Sequence, residues 1–271
     1  MLKQRIITAF ILAIGAIVAL YAASNTAWML LIMGLTLLAA WEWSGFAEIS
    51  NRAIKGGYAL ATALSVYLGL SVLETSHIIL LTLVELAITF GVVGRYQASH
   101  STSGVHSKWL ILLSGWLLIG LFALTMIRFR EELSAGWLLL SLLMVWVMDS
   151  GAYFSGRRFG KRKLAQFVSP GKTWEGVWGG ALFVLIAALV SLSLLTPDLN
   201  MPLWLFALSL SAIALYSVVG DLFESVLKRQ ANLKDSGTIL PGHGGVLDRI
   251  DSLLVAVPVF YLLWWFGSLH A

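Results

Sequence analysis

The hydrophobic pattern of the chain is a series of long apolar runs separated by short polar stretches. Nine runs stand out, near residues 6–23, 27–43, 57–73, 78–94, 109–127, 136–154, 176–196, 203–220 and 251–267. Each approaches the roughly 20 residues that a helix needs to cross a hydrocarbon core. They are continuous Leu, Ala, Val and Ile, not the short alternating segments of a membrane barrel. The pattern predicts an all-α, polytopic membrane bundle of about nine spanning helices. No internal repeat, low-complexity tract or long linker divides it, so 1–271 reads as a single domain.

Composition sharpens this. The chain is 59% hydrophobic and 12% charged, about half the roughly 25% charge of an ordinary soluble domain. Soluble, disordered and disulfide-rich classes are excluded, and the absence of cysteine removes thiolate and Cys-ligated metal chemistry. The first run is longer than a signal-peptide core and lacks a good small-x-small cleavage site, so it is read as a retained span. Nine spans with the amino terminus inside place Arg128 and Arg130 outside and the other 16 of 18 basic residues inside. That is a strong positive-inside bias and predicts an N-in, C-out topology. The net charge of +4 therefore reports topology, and no nucleic-acid partner is expected.

Two inner segments, 149–175 and 220–251, are long and polar. In the second, Asp221, Glu224 and Ser225 stand at i, i+3 and i+4 and share a helical face. Asp248 and Asp251 are likewise three apart where the last span opens. Between them, Pro241-Gly242 and Gly244-Gly245 flank His243 in a loop whose backbone can approach a ligand closely. Paired carboxylates with Lys228, Arg229 and Arg249 suit a metal-bridged polyphosphate. Such residues are usually solvated surface pairs, but these abut apolar spans, where an unpaired charge costs at least about 2.5–3.5 kcal/mol. The first segment runs from Asp149 through the basic stretch 156–163 to Ser169-Pro170-Gly171-Lys172-Thr173-Trp174-Glu175-Gly176. Ser169 and Pro170 read as an N-cap and first helical residue, aiming free N–H groups and Lys172 at an anion. Gly171-Lys172-Thr173 does not complete a Walker A loop, because Gln166 stands where the earlier glycine belongs.

The stretch from Ser225 to Asp251, with Ser225-Val226-Leu227-Lys228-Arg229, Lys234-Asp235-Ser236-Gly237 and Leu240-Pro241-Gly242-His243-Gly244-Gly245-Val246-Leu247-Asp248-Arg249-Ile250-Asp251, resembles the signature of the phosphatidate cytidylyltransferases, or CDP-diacylglycerol synthases. Asp149-Ser150-Gly151-Ala152-Tyr153, the 169–176 stretch and Trp41-Glu42-Trp43 are also similar to bacterial members. The resemblance implies transfer of CMP from CTP to phosphatidic acid in phospholipid synthesis, with Mg²⁺ or Mn²⁺. It leaves room for a second ion, a monovalent one included. It implies Asp221 and Asp248 as metal ligands, with Glu224, Ser225 and Asp251 in or near the coordination sphere. Lys228, His243 and Arg249 join the two aspartates as catalytic candidates. Asp149, Ser169, Lys172, Thr173, Glu175, Lys228, Arg229, Gly244 and Gly245 are candidates for holding substrate. It further implies a multi-pass protein of the bacterial inner membrane, a site facing the cytoplasm, and a homodimer.

Other features are read more plainly. Glu85 lies mid-span and is taken first as a structural hydrogen-bonding group. Gly176 and Gly180 form a small-xxx-small pair for helix packing. Trp28, Trp41, Trp43, Trp109, Trp137, Trp204, Trp264 and Trp265 lie near span ends and read as interfacial anchors. The alternatives are a transporter using Glu85 and Asp149, or another membrane phospho- or nucleotidyltransferase. Neither an inverted repeat nor an Asp-Gly-x-x-Ala-Arg type motif supports them.

Overall fold

The computed structural model describes residues 14–239 and 244–268. A helical stretch over 14–22 (α1) is followed by α2 (Asn25–Phe46), α3 (Arg52–Val72), α4 (Thr75–Ala98), α5 (Lys108–Arg128), α6 (Ala135–Phe159), α7 (Trp174–Leu195), α8 (Leu203–Gln230) and α9 (Leu247–Gly267). The eight from α2 to α9 are long and apolar enough to cross a membrane, α5 together with a π-helical turn, Phe129–Leu133. The first expected span, 6–23, lies partly outside the described residues.

The all-α expectation needs one amendment, an antiparallel hairpin of β1 (Lys163–Ala165) and β2 (Ser169–Thr173). The hairpin also corrects the expected cap at Ser169. Ser169 and Pro170 lie in β2, and α7 is capped instead by Thr173, whose hydroxyl accepts from Gly176 N at 3.2 Å. Gly171 between the two hydroxyls is a poor helix residue, and pairing of Lys163 with Thr173 keeps the stretch extended. Two helices also outrun their apolar runs. α6 continues through Arg157 and Arg158, and α8 through Lys228 and Arg229, cations that suit the negative end of a helix. Asp221 is therefore inside a helix, and Asp221, Glu224, Ser225 and Lys228 form one stripe along it.

Close helix crossings aim these residues. Along the α6–α7 seam, a Cβ on Gly180 would stand 2.8 Å from Met148 O, and one on Gly176 would stand 2.8 Å from Ala152 O. The small-residue pair expected from sequence thus packs backbone against backbone. At the α8–α9 crossing, a Cβ on Gly220 would lie 2.7 Å from Asp251 O. The first contact sets Asp149 beside the hairpin, and the second sets the α8 stripe against Asp248 and Asp251.

Several tryptophans are corrected from anchors to bridges. Trp28, Trp43 and Trp264 are buried, their indoles donating to Met126 O, Ile111 O and Ser141 Oγ at 3.2, 2.8 and 3.1 Å. Trp109 and Trp204 remain exposed. An indole near a span end can serve either way, because its N–H donates to a carbonyl as readily as to a headgroup. At the end opposite the hairpin, Arg128 donates to Leu70 O and Leu73 O, and Arg130 to Leu20 O and Ala23 O, so these two cations cap helix carbonyls.

Overpacking a close-packed contact costs about 1–3 kcal/mol. Gly180→Val should therefore lower the thermal midpoint of the detergent-purified protein by several degrees. Gly57→Ala, which meets nothing within 4 Å, should leave the midpoint unchanged or slightly raised. Equal midpoints for the two variants would contradict the seam.

Candidate active site

At the hairpin end of the bundle, a cavity of about 480 Å³ opens between α6, β2, α7 and α8. Asp149, Tyr153, Arg157, Ser169, Lys172, Thr173 and Asp221 supply its polar wall, and Val177 and Val218 part of its apolar wall. Lys172 reaches across it, with Nζ 2.6 Å from Asp221 Oδ2. Ser225 donates to the other oxygen, Oδ1, at 3.2 Å. Asp149 lies in the electrostatic field of both Lys172 and Asp221. Residues from the two polar segments, about fifty positions apart at Lys172 and Asp221, thus share one cavity.

A second cluster adjoins it. Lys228 Nζ sits 2.8 Å from Asp248 Oδ1 and 3.1 Å from Glu224 Oε1, the latter at ion-pair distance without hydrogen-bond alignment. Asp248 Oδ2 accepts from Ser236 N, Ser236 Oγ and Gly245 N at 2.9, 2.9 and 2.8 Å. Gly244 has φ 82°, and a Cβ there would lie 2.7 Å from Asp248 Oδ2, so this position requires glycine. Asp251 lies within electrostatic reach of Asp221, Lys228 and Lys172, which links the two clusters.

Among the described residues, no group of three or more His, Cys, Asp or Glu forms a ready-made metal cage. The charge balance nevertheless fits a divalent cation. Asp149, Asp221, Glu224, Asp248 and Asp251 stand with Lys172, Lys228 and Arg157, five acids to three bases. Glu224 is 1% exposed, and its Oε2 has no hydrogen-bond partner. Mg²⁺ needs only one or two carboxylates when substrate oxygens and water complete its shell.

Other expected residues stand off the cavity wall. Glu175 accepts from Lys161 N and Arg162 N at 3.0 and 3.1 Å and pairs with Arg162 Nε at 3.2 Å, so it braces the approach to β1. Arg229 and Arg249 are exposed, and Gly244 and Gly245 frame Asp248. His243 lies outside the described residues. Sequence reasoning gave no role to Glu42 on α2, which is 4% exposed and accepts from Leu247 N at 2.9 Å and Ser236 Oγ at 3.3 Å. Its signal was a carboxylate within an apolar run, between two tryptophans.

A family model described as "Cytidylyltransferase family" matches residues 3–266. The chain belongs to the cytidylyltransferase family. It is 40% identical over 273 residues to the phosphatidate cytidylyltransferase of Pseudomonas aeruginosa, covering 98% of this chain and 97% of that protein. With the phosphatidate cytidylyltransferase of Haemophilus influenzae it shares 36% identity over 290 residues, covering 98% and 99%. A Staphylococcus epidermidis phosphatidate cytidylyltransferase is 44% identical over 137 residues, half of each chain. This cytidylyltransferase is thus an enzyme that transfers a nucleotidyl group, and the family resemblance read from its polar segments is confirmed.

The two lysines should behave differently when truncated. The side chain of Lys228 is 15% exposed, and it faces acids 1% and 8% exposed, so Lys228→Ala strands buried charge, a loss of about 3–5 kcal/mol. The Lys172–Asp221 pair is 23% and 31% exposed. Lys172→Ala should keep the thermal midpoint near that of the parent while raising KM for nucleotide and lowering kcat. A larger loss of stability in Lys172→Ala than in Lys228→Ala would reverse this assignment.

Proposed function

We propose that this cytidylyltransferase joins CTP to phosphatidic acid, giving CDP-diacylglycerol and pyrophosphate. The observation that carries the reading is Lys172 held against Asp221 in a cavity with polar and apolar walls, beside the Lys228 cluster. A phosphate oxygen of the lipid attacks the α-phosphorus of CTP. The new O–P bond replaces the bond from that phosphorus to the bridging oxygen, and pyrophosphate departs with the electron pair. Both reactants are anions, so the protein's main tasks are positioning and charge neutralisation. Lys172 is placed to exchange Asp221 for a phosphate oxygen, and Ser169 and Thr173 line the same wall. Asp221, with Asp248, Asp251, Glu224 and Ser225 around it, would hold Mg²⁺ or Mn²⁺, which when bound offsets charge on the phosphates. Lys228 keeps Asp248 and Glu224 from repelling each other.

The positive-inside bias supports an inner-membrane protein whose cavity faces the cytoplasm, where CTP is supplied. The transporter reading needs Glu85 and Asp149 to act together, but only Asp149 lines the cavity, and Glu85 is fully buried away from it with neither oxygen hydrogen-bonded.

Purified protein with Mg²⁺, CTP and phosphatidic acid should release pyrophosphate. Diacylglycerol should give none, since it lacks the attacking phosphate oxygen, and EDTA should abolish turnover. Asp221→Asn should lose more than about a hundredfold in kcat, roughly 2.7 kcal/mol. Turnover with diacylglycerol, or full activity in EDTA, would overturn the proposed chemistry.

A further inference from the structure

An acid that the reaction above does not use lies behind the site. Glu42 sits near the end of α2, in a helix long and apolar enough to span, where burying a carboxylate is costly unless it serves a purpose. Its Oε2 accepts from Leu247 N, the first amide of α9, and lies 3.3 Å from Ser236 Oγ. The same serine hydroxyl lies 2.9 Å from Asp248 Oδ2. One hydroxyl therefore stands between a carboxylate on α2 and the aspartate that pairs with Lys228.

The loop is shaped to this acid. A Cβ on Gly237 would collide with Glu42 Oε1, and one on Gly245 would collide with Ser236 Oγ. A Cβ on Gly245 would also come within 2.6 Å of Glu42 Oε2. On another side, Glu42 itself, Ser236, Gly237 and Thr238 border a cavity of about 490 Å³ with Trp41 and Lys55. Packing leaves that side open, so directional bonds must fix where the loop rests.

We propose that Glu42 is a positioning residue, which fastens Ser236 and the start of α9 to α2 and so fixes the orientation of Asp248 toward Lys228. The inference rests on the proposed CMP transfer for its kinetic readout alone. Glu42 does not line the reaction cavity, so its loss lowers kcat and spares nucleotide affinity.

The test compares Glu42→Gln, Glu42→Ala, Ser236→Ala and the Glu42→Gln/Ser236→Ala double variant in detergent. A hydrogen bond to a charged group corresponds to a change of about tenfold or more. Glu42→Gln and Ser236→Ala should each lose about tenfold in kcat and Glu42→Ala more, with KM for CTP within about threefold of the parent. The double variant should be scarcely worse than either single one, because both act through one link. Hydrogen exchange over 233–239 and 244–247 should quicken in both Glu42 variants and stay unchanged in other helices. Parental kcat in Glu42→Ala, additive losses in the double variant, or a loss confined to KM with unchanged exchange would overturn the proposal. Should Glu42→Ala fail to fold, Ser236→Ala reads the same link from the loop, and parental turnover there counts against it. If the parent protein makes no CDP-diacylglycerol, the functional reading fails, while the exchange measurement still decides the tether.

Discussion

Charge at the edge of an apolar bundle must find a partner, and most of the site's geometry follows from that constraint. Glu224 on α8 and Asp248 on α9 are nearly enclosed, and Lys228 serves both. An ammonium group on an α8 side chain can do so only if the α8 stripe faces the first turn of α9. The missing side chain at Gly220 permits that approach. Lys172 plays the corresponding part for Asp221 from the far side of the cavity.

The two aspartates that look equivalent along the chain have different surroundings. Asp221 stands on the cavity wall with one lysine and one hydroxyl. Asp248 accepts from a lysine, two amides and a hydroxyl, and it organises the loop that precedes it. Lone-pair directions left for a ligand are thus more plentiful at Asp221.

Much of this was legible from the sequence, for identifiable reasons. Bilayer thickness sets the length of apolar runs, so the helices from α2 onward stand where hydropathy puts them. Asp149, Ser169, Lys172, Thr173 and Asp221 were singled out because polar residues beside spans are conspicuous, and the structure gathers them. The link from Glu42 to Leu247 spans 205 positions and leaves no local pattern. The hairpin was hidden because its alternation is brief and lies among basic residues. The resemblance implied Glu175 as a substrate-holding residue, and its Oε2 accepts from the backbone of Lys161 and Arg162 while Oε1 pairs with the Arg162 side chain. Whether an indole meets lipid or a neighbouring carbonyl depends on helix rotation, which hydropathy does not encode.

The glycine seam between α6 and α7 has a mechanical consequence for the cavity. Where carbonyls and α-carbons already touch, the two helices have no side-chain layer to compress and move as one stiff plate. That plate carries Asp149 on one helix and, just before the other, Lys172. The opposite wall is α8, which meets α2 and α4 partly through aromatic side chains, Phe223 on Trp43 and Tyr216 on Phe90. Asp149 and Lys172 therefore keep a fixed spacing on one wall, while Asp221, next to Gly220 at the α8–α9 crossing, belongs to a separate close-packed pair.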